Sequence, residues 1–176
     1  ALNTDQIIAL TTAQASNLST RNITALTSDQ IGAMETRDVA VLVSTNIRAM
    51  RTDQFSALGS AQIVALTTDQ FVGLSTFNIT AFTSDQVFAL QTQDLVVLTT
   101  ESLRALSAYQ IAALSADQVI ALATWQVAGL STYNVASLTT DQIVALETQD
   151  LVVLGTSNIQ ALRTDRQGRH VRKQCE

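Results

Sequence analysis

Residues 138–145 read Leu-Thr-Thr-Asp-Gln-Ile-Val-Ala, and variants of this eight-residue unit, the octad, follow one another along almost the whole chain. Leucine or another large apolar residue occupies every eighth position from Leu2 to Leu162, which gives 21 consecutive sites without an insertion. A second apolar column, mostly Ile or Val, lies three residues before each leucine from Leu10 on, and a small residue precedes the leucine. Such a period predicts a solenoid, which we expect to cover residues 1–165.

A slower period of seven octads is laid over the first. The polar residue before the Ile column repeats its order of Asn, Gln and Asp at this spacing, so that Asp38, Asp94 and Asp150 are equivalent. Segments 74–98 and 130–154 are near copies of each other. The sequence therefore indicates duplication of a seven-octad block, but it leaves open how many octads complete a superhelical turn.

The eight-residue period argues against two regular backbones. In one continuous α-helix, eight residues at about 100° each would rotate the apolar stripe by about 80° per repeat, so no face would stay apolar. In a flat strand, two columns three residues apart would point to opposite faces. A β-solenoid remains an alternative, although it normally needs turn residues with positive φ, and the chain has only 6 Gly and no Pro.

Short capped helices explain the polar half of the octad. The second residue after the leucine is Thr or Ser in 19 of 21 octads, with Ala108 and Ala116 as exceptions, whereas the first is Thr or Ser in 11. This contrast predicts the N-cap at the second site. In octads such as 66–73 the first Thr also stands three residues before Gln70, so a capping box shifted by one residue is the alternative. We predict an all-α solenoid of very short helices, one per octad, stabilised by stacking.

The polar column before the Ile column is the only regular feature that suggests a ligand ladder. Gln, Asn or Asp occupies it in 19 of the first 20 octads. An amide at this spacing can satisfy backbone groups at helix ends or bond the adjacent repeat, and we prefer that structural interpretation. Asp38, Asp94 and Asp150 lack the clustered carboxylates of a calcium loop. Capping explains the Thr columns better than an ice-binding face does.

Composition argues against several function classes. Residues 1–165 contain 6 Arg and 14 acidic residues, a net charge of −8 that disfavours nucleic acid. No apolar run approaches the roughly 20 residues that cross a bilayer, so we expect no membrane insertion. The sole His170 and the sole Cys175 lie outside the repeats, so we expect neither an enzyme nor a site for a metal or cofactor.

The repeat pattern stops after residue 165, and the remaining residues, 166–176, read RQGRHVRKQCE. This tail has 4 basic residues and 1 acidic residue, a net charge of +3 that is opposite in sign to that of the array. We interpret it as a disordered end, a cloning remnant or the product of a reading-frame change, and not as a binding element.

Three aromatic residues, Phe77, Trp125 and Tyr133, occupy the mostly polar site that follows the second Thr. Two interpretations stay open for them. They are exposed aromatics suited to contact with a protein or a glycan, or they pack between turns of the superhelix.

The octads resemble repeat tracts in very large bacterial surface or secreted proteins that are described as adhesin or haem-utilisation proteins. The resemblance covers residues 1–165 and implies extracellular attachment without assigning a functional residue, and no haem-ligand pattern accompanies it. Three hypotheses follow. The chain is a rigid spacer or adhesive stalk, a solenoid that binds a peptide or glycan through its variable positions, or a fibre-forming module that self-associates through open ends.

Overall fold

The computed structural model describes residues 2–162, and all regular structure in this range is helical. Nineteen helices of five or six residues, α1 to α19, are followed by a twentieth, α20, over residues 156–162. In chain order, α1 to α19 cover Thr4–Ile8, Thr12–Ser16, Thr20–Ala25, Ser28–Ala33, Thr36–Ala40, Ser44–Ala49, Thr52–Ser56, Ser60–Ala65, Thr68–Val72, Thr76–Thr80, Ser84–Ala89, Thr92–Val96, Thr100–Arg104, Ala108–Ala113, Ala116–Ile120, Thr124–Gly129, Thr132–Ala136, Thr140–Ala145 and Thr148–Val153.

The arrangement of one short helix per octad confirms the predicted all-α solenoid. The β-solenoid alternative is wrong, because residues 2–162 contain no strand. None of the helices in this range is long and apolar enough to cross a bilayer. The predicted end of the array at residue 165 and the tail 166–176, with His170 and Cys175, lie outside the described residues.

The N-cap of each helix is the first residue after the leucine, one position earlier than the Thr and Ser frequencies predicted. The Thr67 hydroxyl accepts a hydrogen bond from the Gln70 backbone N–H at 3.3 Å, and the Gln70 side-chain oxygen accepts one from the Thr67 N–H at 2.7 Å. This reciprocal pair is a capping box. A hydroxyl accepts the equivalent N–H in all eleven octads whose first residue is Thr or Ser. The capping-box register is therefore correct, and an N-cap at the second site is wrong.

The second Thr or Ser is the first residue of the helix, and its side chain touches the following superhelical turn. The Ser44 hydroxyl donates to the Asp69 carbonyl at 3.1 Å. Thr100 lies so close to Gly129 that a Cβ at position 129 would be 2.3 Å from the Thr100 Cγ2. The preference for small hydroxyl residues at this site follows from contact between turns, which is why their frequency misidentified the cap.

Successive turns of the superhelix are related by about three and a half octads. Each helix contacts the third helix before it, as α4 contacts α1 and α19 contacts α16. Side chains also reach further back: Gln54 in α7 bonds the carbonyls of Ile23, 31 residues earlier in α3, and of Leu26, 28 residues earlier in the link after α3. The seven-octad block therefore spans two turns.

The core is a narrow stack built from the two apolar columns. Side chains of the Ile column from Ile7 to Val135 are at most 2% exposed, and the leucine column packs against them. Two of its few aromatics pack against each other between turns, where the rings of Phe55 and Phe82 meet edge to face with centroids 5.0 Å apart. Small and medium aliphatic residues suffice elsewhere because neighbouring turns pack closely.

Candidate functional site

Glutamine side chains of the polar column link each turn to the one before it. The side-chain oxygen accepts a hydrogen bond from the N–H of its own N-cap, and the side-chain nitrogen donates to two or three carbonyls of the preceding turn. Gln118 has its Oε1 2.7 Å from the Ser115 nitrogen, and its Nε2 lies 3.0 Å from the Val87 oxygen and 2.6 Å from the Leu90 oxygen. The residues with this full set of bonds are Gln54, Gln62, Gln70, Gln86, Gln110, Gln118, Gln126 and Gln142.

These eight glutamines, which we call the amide ladder, are at most 4% exposed. They confirm that the polar column has a structural role at the helix ends, but the octads that each amide bonds lie about three and a half octads earlier, in the adjacent turn, and not in the adjacent repeat. Asparagines in the same column also bond the preceding turn, and their distances vary: Asn46 is 2.6 Å from the Leu18 oxygen, whereas Asn134 is 3.4 and 3.3 Å from the Leu103 and Leu106 oxygens.

Aspartates occupy the polar column once in every two turns. Asp38, Asp94 and Asp150 are at most 2% exposed, and each has a buried carboxylate oxygen without a hydrogen-bond partner in the described part of the chain. The Thr68 hydroxyl donates to one oxygen of Asp94 at 3.0 Å. Burial raises the pKa of Asp94 above its ordinary value. An ionised carboxylate cannot donate to the carbonyls that the glutamines bind, so these positions lack the amide-to-carbonyl bonds of the ladder, and at Asp94 the Thr68 hydroxyl supplies a different bond between turns.

The buried aspartates do not assemble into a metal centre. Within residues 2–162, no three His, Cys, Asp or Glu side chains come together as metal ligands would.

Another charged cluster also joins turns: Arg51 pairs with Asp53 at 2.9 Å, and the Ser28 hydroxyl donates to the same carboxylate at 2.9 Å. Hydrogen bonds from Arg51, which has the larger effect, and from Ser28 lower the pKa of Asp53 to about 2.

The second and fifth residues of each helix form its outward face, since they lie three apart while the third and fourth are mostly buried. Phe77, Trp125 and Tyr133 are the second residues of α10, α16 and α17, and they are 55–57% exposed. The sequence interpretation missed Tyr109, the second residue of α14, which is 83% exposed. Its column position was a usable signal, but Ala108 before it departs from the Thr pattern.

The structure brings part of this aromatic set to one side of the superhelix. Phe77 and Tyr133 are seven octads and therefore two turns apart on the same side, and α14 with Tyr109 contacts α17 with Tyr133. The Tyr133 oxygen also accepts a hydrogen bond from the Ala108 N–H at 3.2 Å, so Tyr133 is both exposed and packed between turns. Trp125 lies one octad before Tyr133, more than a quarter of a turn away, and is not part of this group.

A family model described as ALTTAQ repeat matches residues 1–36, 31–68, 87–124 and 121–148, which together make up most of the chain. The chain belongs to the ALTTAQ repeat family. Residues 9–14 spell the ALTTAQ unit itself, and there Thr11 is the N-cap while the Gln14 side-chain oxygen accepts its N–H at 2.9 Å. The ALTTAQ match confirms a tandem repeat tract. Because the description names a repeat and no activity, the adhesin and haem-utilisation association remains a proposal. No curated protein and no solved structure matches the chain.

Proposed function

We propose that this chain is a rigid, non-catalytic spacer that holds other parts of a larger surface or secreted protein apart. The amide ladder carries the proposal. Buried side-chain bonds connect consecutive turns from α7 to α18, so bending or stretching the superhelix requires breaking hydrogen bonds inside an apolar core. At a helix spacing of about 8–10 Å, the described residues form a rod roughly 50 Å long.

Small-angle X-ray scattering tests the spacer by its length. We expect the profile of a rod, and we expect a second copy of residues 74–129 inserted after residue 129 to lengthen it by roughly 18 Å, the rise of two turns. The inserted segment consists of seven whole octads and preserves the register of every repeat, so the cross-section should not change. A compact sphere, or an insertion that thickens the particle without lengthening it, would reject the proposal.

Adhesion through the exposed aromatics is a second candidate, and the exposure of Phe77, Trp125 and Tyr133 favours it. Aromatic rings with a polar edge suit contact with sugars and protein surfaces. Binding to immobilised glycans and to bacterial and host cell surfaces should fall when these three residues and Tyr109 are replaced by Ala. Unchanged binding would count against adhesion and leave the spacer intact.

A monomer at all concentrations in sedimentation would remove the fibre hypothesis.

A further inference from the structure

A row of exposed apolar side chains runs along the superhelix from α8 to α19, and the spacer does not use it. The row consists of the fifth residues of seven helices, which are 39–77% exposed. We call it the apolar stripe, and its members are Val64, Val72, Phe88, Val96, Ile120, Val144 and Val152. The fifth residues of the other helices in this range are smaller or polar: Thr80, Arg104, Ala112, Ala128 and Ala136.

Contacts between turns gather these side chains on one face of the superhelix, which is broader than a single column because successive octads, such as those of Phe88 and Val96, lie more than a quarter of a turn apart. Helix α8 contacts α11, α9 contacts α12, and α12 contacts α15, which contacts α18. Val64 and Ile120 are seven octads, or two turns, apart, and the same spacing relates Phe88 to Val144. The stripe spans about three turns and is roughly 30 Å long.

The helices of the apolar stripe carry exposed carboxylates and no basic side chain, and the neighbouring arginines Arg37 and Arg48 lie at one end, in α5 and α6, which contact α8 and α9. Four of its helices have an aspartate three residues before the apolar residue, on the same outward face: Asp69, Asp85, Asp117 and Asp141. The second residues of the other three helices are Ala61, Gln93 and Gln149. Residues 60–162 contain eight acidic residues, one arginine and no lysine, and that arginine, Arg104, is not in a stripe helix.

We propose that the apolar stripe binds a cationic amphipathic segment of a partner protein, in which apolar side chains are flanked by Lys or Arg. A contiguous exposed apolar row marks an interaction surface, and covering it contributes affinity in proportion to the area buried. The aspartates select a positively charged partner. A second copy of the stripe would place carboxylates against carboxylates, and an anionic lipid surface would meet the same repulsion, so the charge pattern disfavours both.

Isothermal titration calorimetry of the full chain tests this with two synthetic 18-residue helical peptides, one of Leu and Lys and one of Leu and Glu. Such a helix is about 27 Å long and matches the stripe. We expect the Lys peptide to bind and to weaken as salt is raised, and the Glu peptide not to bind. Phe88→Ser should weaken binding of the Lys peptide about tenfold or more.

The matched control is Phe77→Ser, because Phe77 is 57% exposed and Phe88 is 67% exposed, yet Phe77 belongs to α10 and lies on a different side of the superhelix. It should leave the affinity unchanged. Both side chains project from the surface, and thermal melts would verify that both variants fold. Equal loss in the two variants, or equal binding of the two peptides, overturns the proposal. Dimers that disappear in Phe88→Ser would identify a second copy as the occupant and overturn it as well. The scattering test of the spacer is independent of each outcome.

Discussion

Gln118 makes four hydrogen bonds with one buried amide, accepting from the Ser115 N–H and donating to the carbonyls of Val87, Phe88 and Leu90. Short helices leave most of their backbone N–H and C=O groups without an intrahelical partner. At the residue scale, this amide provides the hydrogen bonds that the further turns of a longer helix would otherwise provide. Its spacing from the N-cap is local and could be read from the sequence. Its carbonyl partners could not, because they depend on a superhelical turn that the octad does not encode.

Substitution of Gln118 should separate the capping bond from the bonds between turns. Gln118→Met removes all four side-chain hydrogen bonds at similar volume and should lower the free energy of unfolding by about 2–4 kcal/mol. Gln118→Glu keeps the acceptor for the Ser115 N–H but directs a carboxylate at three carbonyls, so it should destabilise the fold at pH 7, and the stability should recover partly in acid. Urea unfolding at pH 7 and pH 4 measures both, and wild-type stability in Gln118→Met would show that the ladder contributes nothing.

Asp94 offers the converse change. Asp94→Asn keeps an oxygen for the Thr68 hydroxyl and adds a donor for the preceding turn, so it should raise the free energy of unfolding at pH 7 by about 1 kcal/mol. The pKa of Asp94 is raised in the folded state, so the native chain takes up this proton more readily than the unfolded chain. The wild type should therefore gain stability as the pH falls through the folded pKa toward the ordinary value near 3.9, and the advantage of Asn should shrink.

Chemical denaturation between pH 3 and pH 8 checks the Asp94→Asn prediction. The exposed Asp85 is the control, since Asp85→Asn should change stability by less than about 0.5 kcal/mol. An advantage of Asp94→Asn that is constant over this pH range would contradict the proposed origin in carboxylate burial.

At the scale of the helix, five or six residues form a stable element only when the next turn covers them. The octad predicted the existence and approximate length of each helix because the columns and the cap residues are local signals. It misplaced the N-cap by one residue because two requirements act on adjacent Thr sites. The first Thr caps the helix, while the second, as at Thr100, has to fit against the small residue of the next turn.

Gly129→Ala tests how closely the turns approach. Alanine favours a helix by about 1 kcal/mol over glycine, but the new Cβ would be 2.3 Å from the Thr100 Cγ2, so we expect a net loss of about 1–2 kcal/mol. Thr100→Ala removes the clashing atom, and the double variant should recover most of that loss. A double-mutant cycle by urea unfolding measures the coupling, and additive effects would refute the contact.

At the scale of the whole molecule, the seven-octad period was visible in the sequence, but its meaning as two turns was not. With this period, Asp recurs in place of Gln and apolar residues recur at the surface. Both recur because two positions that are seven octads apart lie on the same side of the superhelix. The outward apolar residues from Val64 to Val152 are likewise scattered along the chain, and their helices come into contact only because turns of three and a half octads are stacked.

Deletions of different length should distinguish whole blocks from partial ones. Removing 74–129 takes out two turns and rejoins equivalent octads, so we expect a cooperative array whose free energy of unfolding falls roughly in proportion to the octads lost. Removing the three octads 106–129 keeps the eight-residue register, but it rotates the residues on either side of the deletion by almost a turn, so the side chains that pair between turns no longer face their partners. This deletion should cost more stability per octad. Urea unfolding compares the two, and an equal cost per octad would show that the seven-octad order carries no structural information.

The half-integral number of octads per turn also has a mechanical consequence. Each helix lies across the link between two helices of the preceding turn, as Gln54 shows by bonding both Ile23 and Leu26. With three or four octads per turn, links would sit directly above links and form continuous seams parallel to the axis. The stagger leaves no such seam. If two neighbouring helices of one turn separate, the gap does not continue into the next turn, because an intact helix spans it there.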